Sequence, residues 1–490
     1  MSTMVNLALL PLPGSVAALV VEADLLKPCP FVRKQFSTYA AHTVRFCPSA
    51  FLRFNIQKIS PGRMKHQCTA DHVSNSMNHA MRQTVQKLDL QSIQFKESPA
   101  NTWHNLHKQG PVITTRQPLL GKVALINRYD ESQRVLKTPD VFSVDARRCG
   151  HRSAAGMRWW VPGLFKPLAN NLMTLDGEEH QAQRKRVDSA FRGTQLKQLH
   201  PHIEHFANSA IDNFKQELQR TGQADFIQHV ARPVPQWVIS HLLGLDSVHV
   251  QADSSLNRGL SALGSVQGPI DLFRVIPAVR LISSTLREQI QSRRHRPCDD
   301  LLSRLISEQG EGKALSDDEL LAMVFLLYVA GHETTTHLMS TALLSVLKDA
   351  TIRAQITQPL EDRHIHEFVR FNSPVQISKP RFVLEDIEFA GASLHRGDTV
   401  AVLIGAANLD PIAFDNASEF VLERASARHL GFGSGLHTCF GLHLALRETA
   451  IVLNKLLFDS PVRIVDSDNA YQWSTRLGLR ALKSLTLTHR

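Results

Sequence analysis

The stretch from Ser316 to Lys348 constrains this chain more than any other. Ser316-Asp-Asp-Glu319 is a capping box, in which a serine side chain and a glutamate three residues later satisfy each other's backbone amides. Leu315 and Leu320 bracket it as a hydrophobic staple, and the apolar run Leu320–Ala330 follows at once. The pattern continues to Lys348, which at 1.5 Å per residue predicts a helix of roughly 50 Å. Its first half is apolar nearly all round, so it has to run through the middle of a large domain and be covered by other helices. With 490 residues, 43% of them hydrophobic, the chain can supply that cover.

The rest of the pattern from about Lys87 onward agrees. Gly121–Asn127 reads as a strand after the turn-like Gly110-Pro111. Asp176–Phe191, Ala224–Leu245 (kinked or split by Pro233 and Pro235), Asp299–Ile306, 361–371 and Leu442–Leu457 read as helices. Short strands are expected around 381–404, and an irregular stretch from Asn408 to Leu430. Residues 86–490 are therefore expected to form one mainly α domain with a small β part.

Residues 1–85 show neither period, and are expected to be a basic extension outside the domain, either disordered or a mis-assigned start with Met77 or Met81 as alternatives. Residues 1–80 hold eight Lys/Arg against three Asp/Glu, half of the net charge of +10. No basic run interleaved with aromatics accompanies that charge, which argues against nucleic acid as a partner. Val5–Val21 is apolar but broken by Pro11-Leu-Pro-Gly14 and too short to span a bilayer, so no stable membrane anchor is expected. Six scattered cysteines without a C-x-x-C suit a reducing cytoplasm and no zinc site.

Chemistry concentrates in Phe432-Gly-Ser-Gly-Leu-His-Thr-Cys-Phe-Gly441. Gly433, Gly435 and Gly441 let backbone approach something flat and bulky. Cys439 stands just before an apolar helix, whose free amides and dipole favour thiolate over thiol. A buried structural cysteine is the bland alternative, which the glycine framing disfavours. On the long helix, Ala330-Gly-His-Glu-Thr-Thr335 places Ala330 and Thr334 on one face, with Gly331 removing bulk. The Thr334 hydroxyl can bond back to the carbonyl four residues earlier. A solvated Thr/Glu face would be unexpected after eleven mostly apolar residues. Glu367 and Arg370 can meet at i, i+3, and His180 and Arg184 at i, i+4, where two donors suit one carboxylate. Each of these pairs alone is more often a surface feature.

Together, and in this order, these segments resemble the cytochrome P450 family over roughly 400 residues. The resemblance implies a cytochrome P450 fold with haem b between the long helix and the Cys439 loop, Cys439 being the axial ligand of the iron. It implies that Phe432 packs near the ligand, that Gly433 and Gly441 belong to the cofactor loop, and that His437 contacts a haem propionate. His180, Arg184 and Arg381 are implied as further propionate anchors. Ala330 and Gly331 would form the dioxygen groove, with Glu333 and Thr334 as the acid–alcohol pair that delivers protons. Glu367 and Arg370 would be a buried structural pair with Arg424 as third partner. Here the chain departs from a common form, carrying Glu419-Phe420 where many members have Arg before Phe. Gly405–Pro411 resembles the family's segment before the irregular stretch.

The activity implied is a monooxygenase that uses dioxygen and two external electrons to hydroxylate or epoxidise a small apolar organic substrate. A thiolate ligand pushes electron density onto iron and favours O–O cleavage. With no flavin or iron–sulfur pattern in the chain, a separate ferredoxin and its reductase are the expected donors, and the enzyme is expected to be a cytoplasmic monomer. Peroxide-driven oxidation, dehydration, or a haem-binding sensor without turnover are the competing readings, and an intact Glu333–Thr334 pair argues against all three. Substrate contacts are implied around Cys149–Gly163 (with Trp159 and Trp160 nearby), in 246–290 and near Val375–Gln376.

Overall fold

The computed structural model describes residues 88–117, 121–154, 170–193, 196–245, 274–307, 315–425 and 428–489, together with Gly156 and Phe165. They fall in one compact unit, His79–Arg490. The extension expected over residues 1–85 lies outside the described residues. So do Trp159, Trp160 and most of the 246–290 segment.

In chain order come α1 (Ile93–Glu97), α2 (Pro99–His107), β1 (Val112–Gln117), β2 (Gly121–Ile126), α3 (Tyr129–Lys137) and β3 (Phe142–Ser143). Then follow α4 (Gly177–Gly193), α5 (Leu196–Thr221), β4 (Ala224–Asp225), α6 (Pro233–Leu243), α7 (Ile276–His295) and α8 (Leu301–Ser307). The second half holds α9 (Asp317–Lys348), α10 (Ala350–Gln355), α11 (Asp362–Asn372), β5 (Arg381–Val383), β6 (Ile387–Phe389), β7 (Ala392–Leu394) and β8 (Thr399–Val402). It closes with α12 (Ile404–Ala407), α13 (Leu442–Asn454), β9 (Val462–Ile464), β10 (Tyr471–Trp473) and β11 (Leu482–His489).

The long helix α9 starts where its capping box places it. Ser316 Oγ accepts from the Glu319 amide at 3.3 Å, and the Glu319 carboxylate accepts from the Ser316 amide at 2.8 Å. Leu315 and Leu320 are both buried beside it. Leu321, Val324, Met339, Ala342 and Leu343 are sealed in the largest apolar cluster, with Phe368 of α11 and Val452 of α13. Asp349 then ends α9 and caps α10 by accepting from Thr351 N at 2.8 Å.

The helix expected over 224–245 is split at its prolines, and its first two residues are strand instead. Ala224–Asp225 is a strand, Ile227–Ala231 a single wide turn with Arg232 N donating to Ile227 O at 3.0 Å, and Pro233 then opens α6. Proline has no amide to contribute and its φ suits the first helical position, so it starts the helix instead of bending it.

The β part is small. Five strands run β1-β2-β8-β5-β3, with β2 and β8 parallel (Val123 opposite Thr399) and the other pairs antiparallel. A second sheet is centred on β11, which pairs β10, β9 and, across more than half the chain, β4.

Candidate active site

The Cys439 loop precedes α13, and α13 packs against α9. Cys439 N donates to Phe432 O at 2.9 Å and Thr438 N to Gly435 O at 3.2 Å, so the loop folds back on itself. Gly433 and Gly435 both take positive φ, 73° and 74°. A Cβ on Gly435 would stand 3.0 Å from Leu136 O of α3, so this glycine serves close backbone packing. Gly441 is different: a Cβ there would meet nothing within 4 Å. The framing glycines thus divide, two shaping the loop and one bordering open space.

The side chain of Cys439 is accessible, yet its surroundings raise the thiol pKa through burial, against the opposing pull of the Gly441 amide and the Arg184 charge. Both facts hold if the accessible surface opens onto a deep recess instead of the exterior. The helix N-terminus was expected to favour thiolate; in this recess desolvation wins.

A second accessible patch lies on α9. Ala330 is exposed in the middle of a helix that is otherwise covered, and Glu333 and Thr334 flank it half-buried on the same face. Thr334 Oγ1 donates to Ala330 O at 2.9 Å, the back-bond read from the sequence, while α9 continues without interruption. Gly331 answers to a different neighbour than expected. A Cβ there would stand 2.9 Å from Ile239 of α6, so its small size serves helix packing, and Ala330 bounds the open groove. Glu333 does not hydrogen-bond Thr334. It forms a two-pronged ion pair with Arg476, whose second nitrogen lies 3.3 Å from Oε2. Arg476 had no local signal, since it reaches Glu333 from the turn between β10 and β11. Lys96 of α1 holds that turn, donating to the Arg476 and Leu479 carbonyls.

Helix α4 addresses the Cys439 loop from its other side. Arg184 donates to Thr438 O at 2.7 Å and its guanidinium lies 3.5 Å over the Phe440 ring. The His180 ring lies 4.4 Å from that of His437, and both His180 nitrogens are buried without a hydrogen-bond partner among the described residues. Burial, with the nearby His437, lowers the His180 pKa to about 4. His180 and Arg184 share a helix face, as their spacing required, but no single group here bridges them.

His437 Nε2 donates to Asp176 Oδ1 at 2.9 Å, a partner the sequence reading lacked. Asp176 also accepts from Ser143 Oγ and Val144 N. Burial pushes its carboxyl up, but these hydrogen bonds outweigh it and hold the pKa below the usual range. Its position directly before the first residue of α4 was the available hint. Arg381 is buried, donates to Phe142 O at 2.9 Å and feels the Asp176 charge.

The structure also brings Glu367, Arg370 and Arg424 together. Arg370 grips Glu367 through two bonds of 2.8 Å, and donates to the carbonyls of Asn408, Ala417 and Glu419. Arg424 Nε reaches Glu367 Oε2 at 3.1 Å. Phe420 fills the adjoining space, packed on Phe368 and Phe371. Glu419 contributes only its backbone carbonyl, so the departure from the common Arg-Phe form leaves the cluster complete.

These donors suit a haem: a lone thiol in a deep recess, open space at Gly441, a small-residue groove at Ala330, and an orphaned imidazole ready for a carboxylate. Fold and site together define a helical protein built around a flat, cysteine-ligated cofactor. The sequence profile described as Cytochrome P450 matches residues 90–464. The chain is 31% identical to the "Polyketide biosynthesis cytochrome P450 PksS" of Bacillus subtilis, over 74% of this chain and 88% of the relative. It is 30% identical to the "Cytochrome P450 monooxygenase PikC" of Streptomyces venezuelae, over 82% and 94%. Among solved structures, myxobacterial CYP267B1 in complex with myristic acid superposes with a TM-score of 0.71 at 28% identity, covering 82% of this chain and 98% of that one. The chain belongs to the cytochrome P450 family. It is accordingly an oxidoreductase of the monooxygenase kind, with haem b as cofactor and dioxygen as co-substrate. Among the described residues, no helix is long and apolar enough to cross a membrane.

Proposed function

We propose that this chain is a cytoplasmic monooxygenase that takes two electrons from a separate ferredoxin and its reductase and inserts one oxygen atom into an apolar organic molecule. The product is an alcohol or epoxide, and the second oxygen atom leaves with two protons as water. When bound through Cys439, haem supplies the activation of dioxygen and the oxygen transfer. The surrounding side chains supply everything else. Ala330 leaves room beside α9. The Thr334 hydroxyl, tethered to Ala330 O, keeps lone pairs free to accept a hydrogen bond in the groove and pass a proton on. Glu333 is a carboxylate while Arg476 holds it; once it turns away it takes up a proton from solvent and passes it towards Thr334. His180, Arg381 and His437 would receive the cofactor's carboxylates.

The observation that carries this reading is the Ala330–Thr334 groove, with Glu333 beside it, on a helix packed against the one that follows Cys439. A sensor or a peroxide-driven enzyme has no use for that acid–alcohol pair. The net charge of +10 favours an acidic electron donor. PksS is named for polyketide biosynthesis and CYP267B1 holds myristic acid, which supports a long, mostly apolar substrate here too.

The test begins with the reduced, carbon monoxide-treated protein. A strongly red-shifted main absorption band that disappears in Cys439→His is expected; no haem absorbance in folded, haem-supplied protein would sink the proposal. Thr334→Ala should keep that band while diverting most electrons to peroxide or water. An unchanged product yield per electron would remove Thr334 from the proton path.

A further inference from the structure

Resting on the monooxygenase reading, we infer that Lys379 anchors a carboxylate in the substrate chamber, which makes the substrate an amphiphile with an apolar body and an acidic end. The placement follows from the segment between α11 and β5. Gln376 N donates to Gly478 O at 2.8 Å, Ser378 N to Val402 O at 2.9 Å, and Ser378 Oγ accepts from Val402 N at 2.9 Å. Those bonds tie the segment to its neighbouring backbone. On the intervening residues, Val375 bridges Leu479, and Ile377 lies 3.5 Å from where a Gly478 Cβ would stand. Lys379 continues that alternation.

The turn beside this segment is the one whose Arg476 holds Glu333. Two residues further on, Arg381 enters the Asp176–His437 cluster. Lys379 thus lies in the short segment that joins the Arg476 turn to the Asp176–His437 cluster.

Its side chain is accessible but surrounded by protein, the combination that Cys439 shows, and burial alone lowers its pKa to about 8. No hydrogen-bond or ion-pair partner meets its ammonium among the described residues. Among the described residues, four other buried cations, Lys96, Arg480, Arg370 and Arg381, all have acceptors. Lys96 takes two carbonyls, Arg480 takes Lys96 O and Asn372 Oδ1, Arg370 takes Glu367, and Arg381 takes Phe142 O. An enclosed ammonium without an anion is costly, and a carboxylate entering the recess would relieve that cost.

Two carboxylates could come to it: the acidic end of a substrate, which is the assignment made here, or a haem propionate. The experiment compares myristic acid with 1-tetradecanol, the same chain without the charge, binding to the holoenzyme. Binding is read by the shift of the haem absorption band and, independently, by calorimetry. The wild type should bind the acid on the order of tenfold tighter than the alcohol or better, as for a charge-assisted pair. Lys379→Gln should erase that preference, Lys379→Arg should keep it, and it should fade as pH rises past about 8.

Equal affinities in the wild type, or a preference that survives in Lys379→Gln, would overturn the inference. Faster haem loss to apomyoglobin from Lys379→Gln, with the acid preference intact, would assign Lys379 to a propionate and also overturn it. Failure of the monooxygenase reading itself would show separately, as a missing thiolate-type band in the wild type.

Discussion

Two groups of polar side chains belong to the region of the Cys439 loop, and they are built on opposite terms. The Glu367–Arg370–Arg424 cluster is closed. Arg370 makes five hydrogen bonds, both Glu367 oxygens are used, and Val421 N adds another at 2.9 Å. The recess is open: among the described residues, the His180 nitrogens have no hydrogen-bond partner, Cys439 and Lys379 have no ion-pair partner, and Ala330 is bare. A protein does not leave polar groups buried and unpaired without cost, so the first region is complete as protein and the second is completed by what it binds.

If that contrast is right, the closed cluster should carry the larger stability effect. Arg370→Ala strands the Glu367 carboxylate and releases three carbonyls, so it should cost about 3–5 kcal/mol and lower haem content, read by denaturant unfolding. A loss under 1 kcal/mol would break the comparison.

Acid should come next. Burial, with neighbouring charges, depresses the pKa of His337 and His429 to about 3, against 6.5 when exposed. Both are neutral when folded, so their contribution is present above about 6.5 and drains away as pH falls below it. At pH 5 the loss is up to roughly 2 kcal/mol for each. Melting temperature against pH checks this, and His337→Leu should flatten the slope.

The smallest effects sharpen the comparison through glycine. Gly331→Ala drives a methyl into Ile239 and should cost ~1–3 kcal/mol. Gly441→Ala, facing open space at φ −84°, should leave apoprotein stability within ~0.5 kcal/mol and weaken haem retention instead. Equal stability losses would mean that Gly441, too, is framework.

What could be read in advance was local. The α9 capping box, the Thr334 back-bond, the shared face of His180 and Arg184, and the Glu367–Arg370 pair all depend on residues three or four apart, where helix geometry settles the contact. What escaped was long-range: Arg476 lies 143 residues from Glu333, and Asp176 lies 261 from His437. No periodicity announces such pairs. Gly331 shows a subtler failure, because its smallness was legible but the neighbour requiring it was not. The proline pair at 233 and 235 marks the split in its segment, whereas the strand at Ala224–Asp225 depends on β11, more than 250 residues away.

The strand β11 has a consequence for how the enzyme is made. Its pairing with β4 joins Leu487 to Ala224, and the turn before it delivers Arg476 to Glu333. On a ribosome, the central helix is finished long before its acid finds its partner. Closure spans some of the longest loops in the chain, which is the slow kind of folding step. Assembly of the recess is therefore a late event, and a nascent chain that stops before Arg476 would carry the cysteine and the groove without the latch on Glu333.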